Sequence, residues 1–140
     1  MSKIFWDTNL FIYLIEDFGE LSERVGQLRE RMLLRGDQLH TSTLTLSEVL
    51  VKPREAGNEQ LERTYQAALS TGARLVSFDV GAARHYAGIR LDRGIRAPDA
   101  IQLACAAEAG MDLFITNDDR LSRKIVPGIQ FITSLERAAL

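Results

Sequence analysis

Residues 3–17 read Lys3-Ile4-Phe5-Trp6-Asp7, then Thr8-Asn9-Leu10-Phe11-Ile12-Tyr13-Leu14-Ile15-Glu16-Asp17. The first five are a short apolar run closing on a carboxylate, which predicts a buried strand. The next ten put Leu10, Phe11, Leu14 and Ile15 on one face of a helix. A strand that passes directly into a helix, with an acid at the junction, is the opening unit of an α/β layer.

The alternation continues outward from this unit. Glu20–Leu34 predicts an amphipathic, Arg-rich helix stopped at Gly36. Gln38–Ser42 follows as a strand and Thr43–Val51 as a helix halted by Pro53. Asn58–Ser70 is a helix capped by its Asn and ended by Gly72. Arg74–Phe78 predicts a strand, Val80–Leu91 a helix, and Pro98–Ala109 a helix ended by Gly110. Leu113–Thr116 is a strand, Arg120–Lys124 a short helix, Ile129–Ile132 a strand and Ser134–Ala139 a terminal helix. Strands alternating with helices imply parallel strands joined by crossovers, hence an α/β sandwich. No repeat, low-complexity stretch or linker interrupts residues 1–140, which predicts a single domain.

Composition narrows the class. The chain has 140 residues, 46% hydrophobic and 26% charged, as expected of a globular protein that folds without metal or disulfide staples. Its one cysteine, Cys105, cannot pair within the chain and predicts a reducing compartment. Met1-Ser2-Lys3 runs straight into the first strand and no apolar run reaches a membrane-spanning length, which predicts a cytoplasmic protein with neither signal peptide nor membrane partner. Formal charge is 17 − 19 = −2. With four acids assigned to one cation site it becomes 17 − 15 = +2, so a nucleic-acid partner would need a local basic surface.

Most catalytic arrangements fail. His40, His85 and Cys105 lack zinc-site spacing, and there is no nucleophile elbow, dinucleotide fingerprint or P-loop. His85 reads as structural or solvated, and Cys105, in the apolar run Leu103–Ala107, as a core residue. Carboxylates remain. Asp7 ends the first strand, Asp118 and Asp119 follow Leu113–Thr116, Asp99 opens a helix behind Pro98, and Glu48 lies in the helix after the second strand. In open α/β sheets, sites form outside the carboxyl ends of the strands, where these acids fall. Each also fits a plainer role: a helix cap for Asp7, a first-turn acid for Asp99, turn residues for Asp118 and Asp119, an exposed Glu48. The apolar neighbours of Asp7 and Glu48 (Phe5, Trp6, Leu10, Val49, Leu50) place both acids close to the core. Converging carboxylates repel, and an all-oxygen set without His or Cys suits Mg²⁺ or Mn²⁺, ions that serve phosphoryl chemistry.

The order Asp7-Thr8-Asn9, Ser47-Glu48-Val49, Pro98-Asp99-Ala100-Ile101-Gln102-Leu103-Ala104 and Thr116-Asn117-Asp118 resembles the PIN domain, and more narrowly the VapC-type toxins of type II toxin–antitoxin pairs. The resemblance spans nearly the whole chain. It implies a three-layer α/β/α sandwich with a central, mostly parallel sheet. It also implies a Mg²⁺- or Mn²⁺-dependent endoribonuclease in which Asp7, Glu48, Asp99 and Asp118 hold the metal. Activated water would cleave the phosphodiester to leave a 5′ phosphate and a 3′ hydroxyl. Thr116 would position water or the fourth acid, Thr8 and Asn9 would orient Asp7, and Asp119 stands beside Asp118 as a rival fourth acid, the motif register favouring Asp118. Arg96 fills the place where members of the family carry a basic residue before the third acid. Arg93, Arg96, Arg120 and Lys124 would contact RNA phosphates, or form a solvated face. A cognate antitoxin and a homodimer partner are expected at an apolar surface suggested by Leu10, Ile12, Leu14, Leu28, Leu33 and Leu34. The alternatives are a non-catalytic RNA-binding or interaction module on the same scaffold, and a phosphatase of the haloacid-dehalogenase type. The latter wants an acid at position 9, where this chain has Asn9.

Overall fold

The computed structural model describes residues 1–138. Its elements are β1 (Lys3–Trp6), α1 (Thr8–Ile15), α2 (Glu20–Arg35), β2 (Gln38–Ser42), α3 (Thr43–Glu55), α4 (Glu59–Gly72), β3 (Arg74–Val76), α5 (Val80–Ile89), α6 (Ala97–Ala109), β4 (Met111–Thr116) and β5 (Ile129–Ser134). All strands are parallel, in the order β3-β2-β1-β4-β5. The chain builds outward from β1 to β2 and β3, then returns to the other side of β1 with β4 and β5. The strand order therefore reverses between β1 and β4, the position where such sheets open a crevice at their carboxyl ends.

Period-two alternation divides the core into two layers. Ile4 and Trp6 of β1 face α1, α2, α3 and α4, whereas Phe5 faces α5 and α6. Phe5 stacks on its register partner Phe114 of β4 at 5.0 Å between ring centroids. The three-layer α/β/α architecture with a parallel sheet follows as the sequence predicts. No helix among the described residues is long and apolar enough to cross a membrane.

Several boundaries differ from expectation. α3 runs through Pro53 to Glu55 rather than stopping at Val51. Pro53 removes one N–H donor, the one that would bond the Val49 carbonyl, and the helix ends two residues later at Glu55. Residues 119–123 form turns, where the sequence predicts a short helix over Arg120–Lys124. The expected terminal helix over Ser134–Ala139 is absent through residue 138: Ser134 closes β5 and residues 135–137 form a turn, while Ala139 lies outside the described residues. Of the leucines and isoleucines offered as an apolar surface, Leu10 and Leu28 are fully buried, and Ile12 and Leu14 are half-buried against the core. Only Leu33 and Leu34, 61% and 88% exposed at the end of α2, project into solvent. The six residues offered as an apolar surface reduce to two exposed side chains.

Candidate active site

Asp7 follows β1 at the reversal of strand order. Its backbone N–H donates to the Ile115 carbonyl (3.0 Å), which extends the β1–β4 pairing by one residue and fixes the junction. The carboxylate both caps α1 and faces the cleft. Oδ1 accepts from the Thr8 N–H (2.9 Å) and Oδ2 from the Thr116 hydroxyl (2.8 Å). Burial pushes the Asp7 pKa up to about 6. The two hydrogen bonds oppose that rise, and the charges of Asp99 and Glu48 add to it. Those couplings show that acids from three elements share one field.

Thr116, fully buried at the end of β4, joins two of the acids. Its hydroxyl donates to Asp7 and accepts from the Asp118 N–H (3.0 Å). Asp118 is in turn held by Arg120, with Nε 3.0 Å from Oδ1 and Nη2 2.7 Å from Oδ2. This guanidinium lowers the Asp118 pKa. Asp99 sits in the first turn of α6, where the helix dipole favours its charge. Its pKa is nevertheless raised, first by burial and then by the Asp118 charge, against the lowering effect of Arg96 and Arg120. Glu48, in the second turn of α3, is exposed rather than near the core. Its neighbour Val49 points inward at 3% exposure, because adjacent helical residues are turned about 100° apart. The Glu48 carboxylate accepts from the Thr8 hydroxyl at 2.7 Å.

Asp7, Glu48, Asp99 and Asp118 all line one cleft of about 330 Å³, together with Thr8, Asn9, Arg96 and Arg120. Asp119 does not: it lines a separate depression with Arg123 and Glu136. Asp118 is therefore the one that the turn aims inward. Two of the four expected basic residues also fall outside. Lys124 is held by Asp92 at 2.8 Å, and Arg93 is exposed in the loop before α6 and does not line the cleft. Gln102 and Pro98 line the cleft without having been singled out as site residues. The signal for Gln102 was an amide one turn beyond Asp99 in an otherwise apolar run. His85 lies 3.2 Å from Glu108, away from the cleft, and Cys105 is fully buried, with burial pushing its thiol up to about 11.

No three of the described His, Cys, Asp or Glu side chains close into a ready cation cage. Asp7, Glu48 and Asp118 are each drawn towards a hydrogen-bond partner instead. The donor set still fits a hard divalent ion. Such ions keep several waters and take one or two carboxylates directly, so a roomy acidic cleft is sufficient.

A family model for the PIN domain matches residues 4–125. Among solved structures, the chain is similar to a toxin–antitoxin complex from Klebsiella pneumoniae (25% identity, TM-score 0.66, covering 90% of this chain and 94% of that one). It is also similar to DNA-bound VapBC from Salmonella typhimurium (24%, TM-score 0.65, covering 96% and 99%). VapBC2 from Rickettsia felis, bound to a promoter DNA fragment, shares the fold at 14% identity (TM-score 0.75, covering 94% and 98%). Among curated proteins, none matches the sequence significantly. The matched span runs from β1 past the Asp118 turn and encloses every acid of the cleft: the chain belongs to the PIN domain family.

Proposed function

We propose that this chain is a Mg²⁺- or Mn²⁺-dependent endoribonuclease, the VapC-type toxin of a toxin–antitoxin pair, acting in the cytoplasm as one domain over residues 1–140. The observation that carries this reading is the convergence of Asp7, Glu48, Asp99 and Asp118 on one cleft where the strand order reverses. A hard divalent cation, when bound, neutralises phosphate charge and lowers the pKa of water. Asp7, Asp99, Asp118 and Glu48 are the residues that would hold it.

The chain's own groups organise the rest. Thr116 and the Thr8 N–H fix the two Asp7 oxygens, so that Asp7 enters the cleft in one orientation. Among the described residues no hydrogen bond offsets the raised pKa of Asp99, which leaves its carboxylate available to a cation or a water. Arg96 and Arg120 line the cleft and would receive an RNA phosphate, which Arg suits through its planar fork of donors. The solved relatives that are toxin–antitoxin complexes support a cognate antitoxin as partner, and a homodimer is part of the same proposal.

The test is cleavage of structured RNA by antitoxin-free protein with Mg²⁺ or Mn²⁺, set against EDTA and against Asp7→Asn. Metal-dependent cleavage lost in the variant supports the reading. Metal-independent cleavage, or none with intact metal binding, overturns it. RNA binding without cleavage passes the assignment to a non-catalytic module, and hydrolysis of p-nitrophenyl phosphate alone passes it to a phosphatase.

A further inference from the structure

Gln102 is 2% exposed and lies one helical turn beyond Asp99 on α6. Its side chain spans three other elements. Oε1 accepts from the Ser42 hydroxyl at the end of β2, while Nε2 donates to Thr45 of α3 (2.7 Å) and to Thr8 of α1 (3.0 Å). An amide offers two hydrogens and Gln102 uses both.

One end of this network is the cap of α3. The Thr45 N–H donates to Ser42 Oγ as the cap of α3 (3.4 Å), and the Ser42 hydrogen goes to Gln102 Oε1. The amide turns its NH₂ towards Thr8 and Thr45. Thr8 Oγ1, already accepting from Gln102, commits its single hydrogen to Glu48 (2.7 Å) and lies 3.1 Å from the Thr45 hydroxyl. With the amide reversed, its oxygen would face Thr8 and draw that hydrogen away from Glu48. Glu48 is an exposed, long side chain, and Thr8 is its hydrogen-bond anchor among the described residues.

We propose that Gln102 is a positioning residue that holds Glu48 towards the cleft through the Thr8 hydroxyl. The inference rests on the nuclease reading for its functional meaning. A buried amide one turn from Asp99 thereby joins the helix carrying that acid to the one carrying Glu48, and Thr8 completes the connection to Asp7 through its N–H. Groups that orient ligands in this way change metal affinity by about 10- to 100-fold when lost.

The test uses the full chain in wild-type, Gln102→Leu, Thr8→Val, Thr8→Ser and Glu48→Gln forms, with Mn²⁺ binding by calorimetry and crystal structures of the metal-free proteins. Gln102→Leu and Thr8→Val are expected to weaken Mn²⁺ binding by at least about tenfold, while Thr8→Ser retains it. Gln102→Leu combined with Glu48→Gln should bind no more weakly than Glu48→Gln alone. Losses that multiply in the double variant, or a folded Gln102→Leu protein that binds Mn²⁺ like wild type, would overturn the proposal. If Gln102→Leu does not fold, Gln102→Glu replaces it, since a carboxylate can accept from Ser42 but gives Thr8 no N–H. If wild type neither binds Mn²⁺ nor cleaves RNA, the nuclease reading fails, and the metal-free crystals decide the positioning claim. Glu48 leaving Thr8 in the Gln102 variant supports it, and Glu48 remaining within hydrogen-bond distance overturns it.

Discussion

Arg120 lies along the Asp118 carboxylate, its Nε 3.0 Å from one oxygen and its Nη2 2.7 Å from the other. Two residues apart in a turn, the pair neutralises the fourth acid of the cleft with the chain's own cation. On the proposed nuclease reading, a divalent ion and Arg120 would compete for Asp118, while a phosphate and Asp118 would compete for Arg120. Exposed pairs of this kind are weak and open readily, so the contact biases the site without closing it.

Removing this competitor has opposite effects on the two ligands. In Arg120→Ala, Mn²⁺ should bind a few-fold more tightly by calorimetry in the absence of RNA, because Asp118 is released. RNA should bind less tightly in a filter-binding assay, because a phosphate contact is gone. Parallel weakening of both ligands would show that Arg120 supports the turn rather than competing for the acid.

Salt dependence separates the basic residues. Arg96 and Arg120 line the cleft, whereas Lys124 is bound to Asp92 and Arg93 lies outside. Arg96→Gln and Arg120→Gln should each flatten the log–log salt dependence of single-stranded RNA binding by about 0.7. Arg93→Gln and Lys124→Gln should leave the slope unchanged. An equal change in all four variants would place the RNA across the whole loop face instead.

The strand ends were legible because an apolar run closing on an acid constrains both the fold and the position of the charge: Asp7 and Asp118 stand where the sequence predicts. Glu48 was misjudged from neighbours in sequence, which on a helix point elsewhere. Lys124 falls outside the cleft because its partner, Asp92, is 32 residues upstream and only the fold brings them together. Gln102 carried little signal, since a lone amide in an apolar run does not reveal whether its partners are core carbonyls or the hydroxyls that reach an acidic cleft. Residues 118–124 have helix-compatible composition, yet Thr116 accepting the Asp118 N–H and Asp118 accepting the Arg120 N–H commit the segment to turns.

Cys105 offers a check on the core layer beneath α6. It is fully buried, and burial pushes its thiol up to about 11, so the reactive thiolate is scarce at pH 8. The folded protein should resist a disulfide-exchange reagent, and urea should release one thiol per chain. Rapid labelling of the native protein would mean that the α6 layer opens locally.

The charge at Asp7 ties the site to stability. Its pKa rises from 3.8 to about 6 on folding, so the folded chain keeps this proton to higher pH than the unfolded chain. The stability tied to that proton is fully present below about pH 3.8 and is lost as pH rises through about 6. At pH 7 the metal-free protein therefore carries a buried carboxylate among other acids. Asp7→Asn keeps the shape and removes the charge, but its amide matches Thr116 less well. The net gain in EDTA at pH 7 should be about 1 kcal/mol, or ~2–8 °C in Tm. The gain should shrink towards pH 4, where wild-type Asp7 is itself neutral. Mg²⁺ at a hundredfold excess over Kd should stabilise wild type by about 2.7 kcal/mol, and the variant by less. Melting curves of both proteins between pH 4 and 7.5, with EDTA or Mg²⁺, decide the matter. A Tm difference that ignores pH, with no response to Mg²⁺ in either protein, would make Asp7 a helix cap and nothing more.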